Sequence, residues 1–191
     1  MEKLRDSNWE EVFASWKSRE GSDPAWQKVA TEVKGWPDWE SWRRHSAEML
    51  LADKRQWSIY SFEDPLKDIP EMLVGPYTGW QSRHPRTNNF SFAELLEVPE
   101  QYEIWRTHGK IKSLLESFPA ETEFIGLIRR DLGKVVCLEG HHRAVAVALA
   151  ARDGLPLEFG AEPPRIALAE LAADEVELLD EVLKRGSAKT T

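Results

Sequence analysis

The stretch "VVCLEGHHRAVAVALAARDG", residues 135–154, decides the fold of this chain. Residues 135–138 are apolar and predict a buried strand, whereas 144–151 are all alanine, valine or leucine. The second run predicts a helix that is buried on most of its circumference. Five residues that disfavour burial, Glu139 to Arg143, lie between the two. We therefore expect them at the rim of a sheet, where a strand ends and a helix begins.

The start of a helix is a ready-made site for an anion. The N–H groups near His141 to Arg143 have no carbonyl partner within the helix, and the positive end of its dipole adds to them. Gly140 lets a ligand approach the backbone, and Arg143 can donate a bidentate pair of hydrogen bonds. Neighbouring histidines point about 100° apart around the axis, so they face different atoms. The alternative is structural: His141 packs or caps, and Arg143 pairs with Glu139.

Composition limits the class of protein. The chain has 191 residues, of which 41% are hydrophobic and 30% are charged, as in soluble proteins with one substantial core. Its net charge of −8 argues against a general binder of nucleic acid or membrane surfaces. The single cysteine, Cys137, cannot form an internal disulfide. A charged start without an apolar segment, and no apolar run long enough to span a bilayer, favour a cytoplasmic location.

The N-terminal region, residues 1–56, is predicted to contain three helices. Asp23, followed by Pro24, and Asp38 are typical residues for helix starts. Six of the nine tryptophans fall at or before Trp42. Clustered tryptophans indicate a small region that fills its core with large side chains. An exposed aromatic face that docks a protein partner is the alternative.

The remainder of the chain has a different pattern. A short alternating run at 57–62 predicts a strand, and two further strands meet at a tight turn at 131–133. The motif helix follows, then one or two short strands, and a last helix is predicted over 174–185. We therefore expect an α+β domain at 57–191, preceded by a tryptophan-rich helical region at 1–56.

A second polar cluster, "WQSRHPRTNN", spans residues 80–89. Loops on a rigid scaffold often carry binding residues, so Arg83 and Arg86 are candidates to reach the same anion from the opposite side. A solvated surface loop is the alternative.

The chain has enough potential ligands for a zinc site, but their spacing does not favour one. It would combine Glu139, His141, His142 and the distant His84. Adjacent histidines without a further Cys or His at metal spacing do not form a typical site. We assign no metal ligands.

The motif resembles the signature of the ParB/sulfiredoxin superfamily, in which a strand, a short Gly-His-Arg or Gly-Glu-Arg-Arg motif and an alanine-rich helix recur. The order of flanking elements in residues 57–191 is also similar. The resemblance implies a mixed sheet with flanking helices that binds nucleotide phosphates at the helix start. The positions that match are Gly140, His141, His142 and Arg143.

The motif of this chain differs from those of two branches of the superfamily and is similar to that of a third. Sulfiredoxins carry their reactive cysteine within the motif, where this chain has His141, and Cys137 lies in the preceding strand. Chromosome-partitioning members have an arginine pair and a following DNA-binding domain, whereas the residues that follow here are acidic. "EGHHR" is most similar to the "DGHHR" of the superfamily's free-serine kinases.

That resemblance implies a nucleotide ligand, ATP, ADP or CTP, with Mg²⁺, and phosphoryl transfer to a small hydroxyl compound. Glu139 and His141 would then be the catalytic residues. The alternative function is a non-catalytic module that senses a nucleotide and signals to a protein partner through the tryptophan-rich region. DNA binding through local basic surface is a more distant alternative.

Overall fold

A computed structural model describes residues 1–189 and contains a five-stranded mixed sheet. The strands are β1 (Glu2–Ser7), β2 (Trp57–Ser61), β3 (Glu123–Arg129), β4 (Lys134–Glu139) and β5 (Arg165–Leu171). They lie in the order β1-β2-β5-β3-β4. β3 and β5 are parallel, and the other neighbours are antiparallel. The α+β class expected from the sequence is therefore confirmed, with a mixed sheet.

Ten α-helices flank this sheet within the described part of the chain. They are α1 (Trp9–Glu20), α2 (Pro24–Lys28), α3 (Trp39–Glu48), α4 (Pro65–Asp68), α5 (Thr78–Gln81), α6 (Phe92–Glu97), α7 (Pro99–Thr107), α8 (Gly109–Glu116), α9 (His141–Asp153) and α10 (Glu177–Arg185). Asp23 and Asp38 cap α2 and α3 through their side chains, as the sequence predicts. None of the helices in residues 1–189 has the length and apolarity that crossing a membrane requires.

Successive side chains along a strand point to opposite faces of the sheet, and each face carries its own hydrophobic cluster. On one face, Ile125 and Leu127 pack with residues of α1, α3 and α10. On the other, Phe124, Val135 and Cys137 pack with α6 to α9. The sheet is thus covered by helices on both faces, and α9 lies in the second layer.

The tryptophan-rich region covers one face of the sheet. Trp9, Trp16, Trp39 and Trp42 are all buried in the same cluster as the strand residues. The three expected helices are present, but the region begins with β1, which pairs with β2. Residues 1–56 and the α+β part therefore share one sheet and one core.

A single glycine controls the junction between β4 and α9. Gly140 has a φ of +104°, in the region that favours glycine. A Cβ at this position would lie 2.3 Å from the ring of Phe124. The chain can therefore turn from the strand directly into the helix only because this residue has no side chain.

We predict that Gly140→Ala lowers the free energy of unfolding by about 3 kcal/mol, because backbone strain adds to overpacking against Phe124. Gly154→Ala is the control, since Gly154 ends the same helix with a φ of +64° and open space around it. That variant should lose only about 1 kcal/mol. Urea denaturation measures both, and equal losses would show that contact with Phe124 contributes nothing.

Candidate functional site

The first turn of α9 has no side-chain cap within residues 1–189. Among residues 1–189, no side chain accepts a hydrogen bond from the helix start, and its first turn contains no acidic residue. The helical hydrogen bonds begin at Ala144, whose N–H donates to the carbonyl of Gly140 at 2.8 Å. The amides of residues 141–143 are left available, as expected from the sequence.

A cleft of about 610 Å³ opens at this helix start. It lies between α9 and the N-terminal helices, and Gly140 to Arg143 all contribute to its lining. Five of its lining residues are basic and three are acidic: Arg19, Lys34, Arg43, Lys110 and Arg143, against Glu20, Glu121 and Glu139. Aromatic side chains supply much of the remaining wall, namely Trp26, Trp42, Tyr77 and Trp80. The cleft is therefore locally cationic in a chain whose net charge is −8.

Glu139 and Arg143 form an ion pair at the floor of the cleft. The Nη2 atom of Arg143 donates to Oε1 and Oε2 of Glu139 at 2.7 and 2.5 Å. The guanidinium also lies 5.2 Å from the centroid of the Phe124 ring. The alternative interpretation of Arg143, that it pairs with Glu139, is therefore correct. The pair uses only Nη2 of the guanidinium, however, and both residues line an open cleft.

The opposite wall is built around Arg43, on α3. Its guanidinium lies over the ring of Trp42, 4.0 Å from the centroid, and Trp16 and Trp26 flank it at 4.8 and 5.2 Å. Its Nη2 donates to Oε2 of Glu20 at 3.2 Å. Aromatic rings and one carboxylate therefore hold a charged group in place at the edge of the core.

Three buried donors on this wall have no hydrogen-bond partner among the described residues. They are Nη2 of Arg19, Nε1 of Trp42 and Nε of Arg43. Trp42 is only 5% exposed, so its indole N–H is removed from solvent without compensation. Since buried donors are nearly always satisfied in folded proteins, this wall is suited to an acceptor from outside the chain.

His141 is held inside the protein. Its Nε2 accepts a hydrogen bond from the N–H of Gly75 at 3.1 Å, so the neutral ring carries its proton on Nδ1. That atom lies 3.9 Å from the sulfur of Cys137. Burial, together with the charges of His142 and Arg43, lowers the pKa of His141 to about 3. The acid–base role expected for His141 would require these internal contacts to break.

His142 points in a different direction from His141 and lies near the rings of Trp80 and His108. Its ring centroid lies 5.2 Å from that of Trp80 and 5.8 Å from that of His108. Burial, together with the nearby charges of Lys110 and Arg83, lowers the pKa of His142 to about 4. This side chain is therefore neutral at pH 7 and lies in a cationic environment.

The two loop arginines are placed differently. Arg83 is half-buried over the Trp105 ring, 4.8 Å from its centroid, and donates to Gln101 at 3.3 Å. It lies behind His142 and is not part of the cleft lining. Arg86 is exposed and forms an ion pair with Glu94 at 2.8 Å, also away from the cleft.

The N-terminal half of the site was not predicted from the sequence. Arg19, Glu20 and Arg43 were not singled out, because their positions on the helices say nothing about what lies opposite them. One signal was available: Arg43 and Arg44 directly follow Trp42 and lie close to Trp39 in "WESWRR", residues 39–44. Tryptophan and arginine this close in sequence indicate a stacked guanidinium.

Comparison with models of protein families, with curated proteins and with solved structures finds no match to this chain.

The depressed pKa of His141 should appear as acid sensitivity. Because the unfolded histidine titrates near its ordinary value of about 6.5 and the folded one near 3, the unfolded state binds more protons between these values. Stability is therefore retained above pH 6.5 and lost as the pH falls, by roughly 1.4 kcal/mol per pH unit between about pH 6 and 4.

The test compares wild type with His141→Gln, whose amide oxygen can still accept from Gly75. The free energy of unfolding of the variant should depend less steeply on pH in this window. Parallel slopes for the two proteins would contradict a neutral, buried His141.

Proposed function

We propose that the cleft at the start of α9 binds a nucleotide, with its phosphate held between the amides of residues 141–143 and the donors of the N-terminal helices. The observation that carries this proposal is a set of three buried donors, on Arg19, Trp42 and Arg43, that have no partner within residues 1–189 and belong to residues lining the same cleft. A phosphate offers several acceptor oxygens, which can satisfy both walls at once.

Electrostatics favours an anion over a neutral ligand. The uncapped helix start contributes a partial positive charge, and the basic residues of the cleft outnumber its acidic ones. Arg143 and Arg43 are already fixed by Glu139 and Glu20. Binding therefore costs little side-chain ordering.

The rest of the cleft is suited to a flat, partly apolar group. Trp26, Tyr77 and Trp80 line it beside the charged groups. Aromatic faces stack on nucleobases without regard to base identity. Resemblance to the ParB/sulfiredoxin superfamily supports the same ligand class, since Gly140 to Arg143 are the positions that match its phosphate-binding motif.

The direct test is isothermal titration of inorganic phosphate, ADP, ATP and CTP, with Mg²⁺ for the nucleotides. Gly79→Glu is the informative variant, because Gly79 lines the cleft within a helix and an added Cβ meets nothing within 4 Å. The new carboxylate should weaken binding by about tenfold or more through repulsion of the anion. Gly79→Gln is the matched control, with the same size and no charge.

We expect saturable binding to wild type and to Gly79→Gln, with strong loss in Gly79→Glu. A ligand at a hundred times its dissociation constant should also add about 2.7 kcal/mol to stability. If none of the four ligands binds, the proposal is wrong. If the two variants bind equally well, the site lies elsewhere.

Phosphoryl transfer to a small hydroxyl compound is a second candidate function, favoured by two of the three carboxylates in the cleft, Glu20 and Glu139. Burial and the charge of Glu139 raise the pKa of Glu20. A carboxylate with a raised pKa is suited to accept a proton from a hydroxyl group. Mg²⁺ bound to nucleotide phosphates needs only one or two protein carboxylates; Glu139 would supply one, and the ion would neutralise charge on the phosphoryl group.

An assay of nucleotide consumption in the presence of a panel of hydroxyl acceptors distinguishes phosphoryl transfer from nucleotide binding without reaction. If the chain is an enzyme, Glu20→Gln should lower turnover by about 10²-fold or more, because proton transfer contributes that much. Nucleotide binding measured in parallel should change far less. Saturable binding without turnover in the wild type would instead support the non-catalytic sensing module.

A further inference from the structure

Two helix starts converge beside His142. α8 begins at Gly109, with His108 as its N-cap residue, and it packs against α9. Like α9, it has no side-chain cap among the described residues and no acid in its first turn. The rings of His108 and His142, one at each helix start, have centroids 5.8 Å apart. Two positive helix ends thus lie side by side.

The side chains at this junction are also positive. Lys110 lies in the first turn of α8, and Arg83 lies close enough to influence the titration of His142. Neither residue takes part in an ion pair among residues 1–189: Lys110 lies over Trp26, and Arg83 donates to the Gly79 carbonyl and to Gln101.

Buried nitrogens without a hydrogen-bond partner in the described chain are found here, beside open space. Nε1 of Trp105 and Nδ1 of His108 are buried without a hydrogen-bond partner in the described chain, and Trp105 is only 3% exposed. A Cβ added at Gly109 would meet nothing within 4 Å. Lys110 also belongs to the lining of the nucleotide cleft, so the junction is continuous with that site.

We propose that the junction of the α8 and α9 starts is a second phosphate subsite, so that the cleft is built for a ligand with two or more linked phosphates rather than a monophosphate. The proposal rests on the proposed function and extends it. One phosphate lies on the amides of residues 141–143, and the next contacts Lys110, His142 and the amides that open α8. A polyphosphate would neutralise the two helix ends together, which a monophosphate is too short to do.

The test titrates inorganic phosphate and pyrophosphate, neither of which carries a base, into four proteins: wild type, Lys110→Ala, Lys112→Ala and Gly79→Glu. Lys112 is the matched control, because it is exposed on the same helix, outside the cleft lining, and two residues further on. Wild type should bind pyrophosphate about tenfold or more tightly than phosphate. Lys110→Ala should remove most of that difference while changing phosphate binding less than about twofold, and Lys112→Ala should leave both affinities unchanged.

The outcomes separate the two proposals. If phosphate binds and Gly79→Glu weakens it, but pyrophosphate gains nothing, the second subsite is wrong and the proposed function stands. Equal weakening of both anions by Lys110→Ala also overturns the subsite, because Lys110 would then act on the first phosphate. If neither anion binds to the wild type at millimolar concentration, the second subsite is wrong, and the titrations of ADP, ATP and CTP decide the proposed function.

Discussion

The structure of the site depends on the direct passage from β4 into α9 through Gly140. Its positive φ and the ring of Phe124 leave room for no side chain, and no other element intervenes between strand and helix. Since α9 is buried along most of its length, its position is fixed by packing on the sheet. Its uncapped start is therefore held at the edge of the core, where it faces the cleft.

Burial and charge act together around this helix start. A helix end facing bulk water would be screened, whereas here the rings of Trp26, Trp42 and Trp80 line the space before it. The chain as a whole is acidic, yet several of its guanidinium and ammonium groups meet at this one place. Repulsion among these positive groups destabilises the folded protein. The ion pairs Glu139–Arg143 and Glu20–Arg43 reduce this repulsion, but the site keeps more basic than acidic residues.

The two histidines of the motif lie in different surroundings. Adjacent residues on a helix point about 100° apart, so one side chain can enter the core while the next stays at the rim. His141 turns inward and connects α9 to Gly75 and Cys137. His142 turns toward the start of α8. The motif thus anchors the helix with one residue and presents the next to the second helix end.

The sequence by itself determined the local features: the strand–glycine–helix motif, the helix starts at Asp23 and Asp38, and the free amides of residues 141–143. These follow from periodicity and capping, which depend only on near neighbours. β1 was missed because its residues, "EKLRDS", form an exposed edge strand with no apolar alternation, and only pairing with β2 makes it a strand. Only the tertiary structure placed Arg43 and Lys110 at the cleft and left Arg86 outside it, because these positions depend on packing between distant segments.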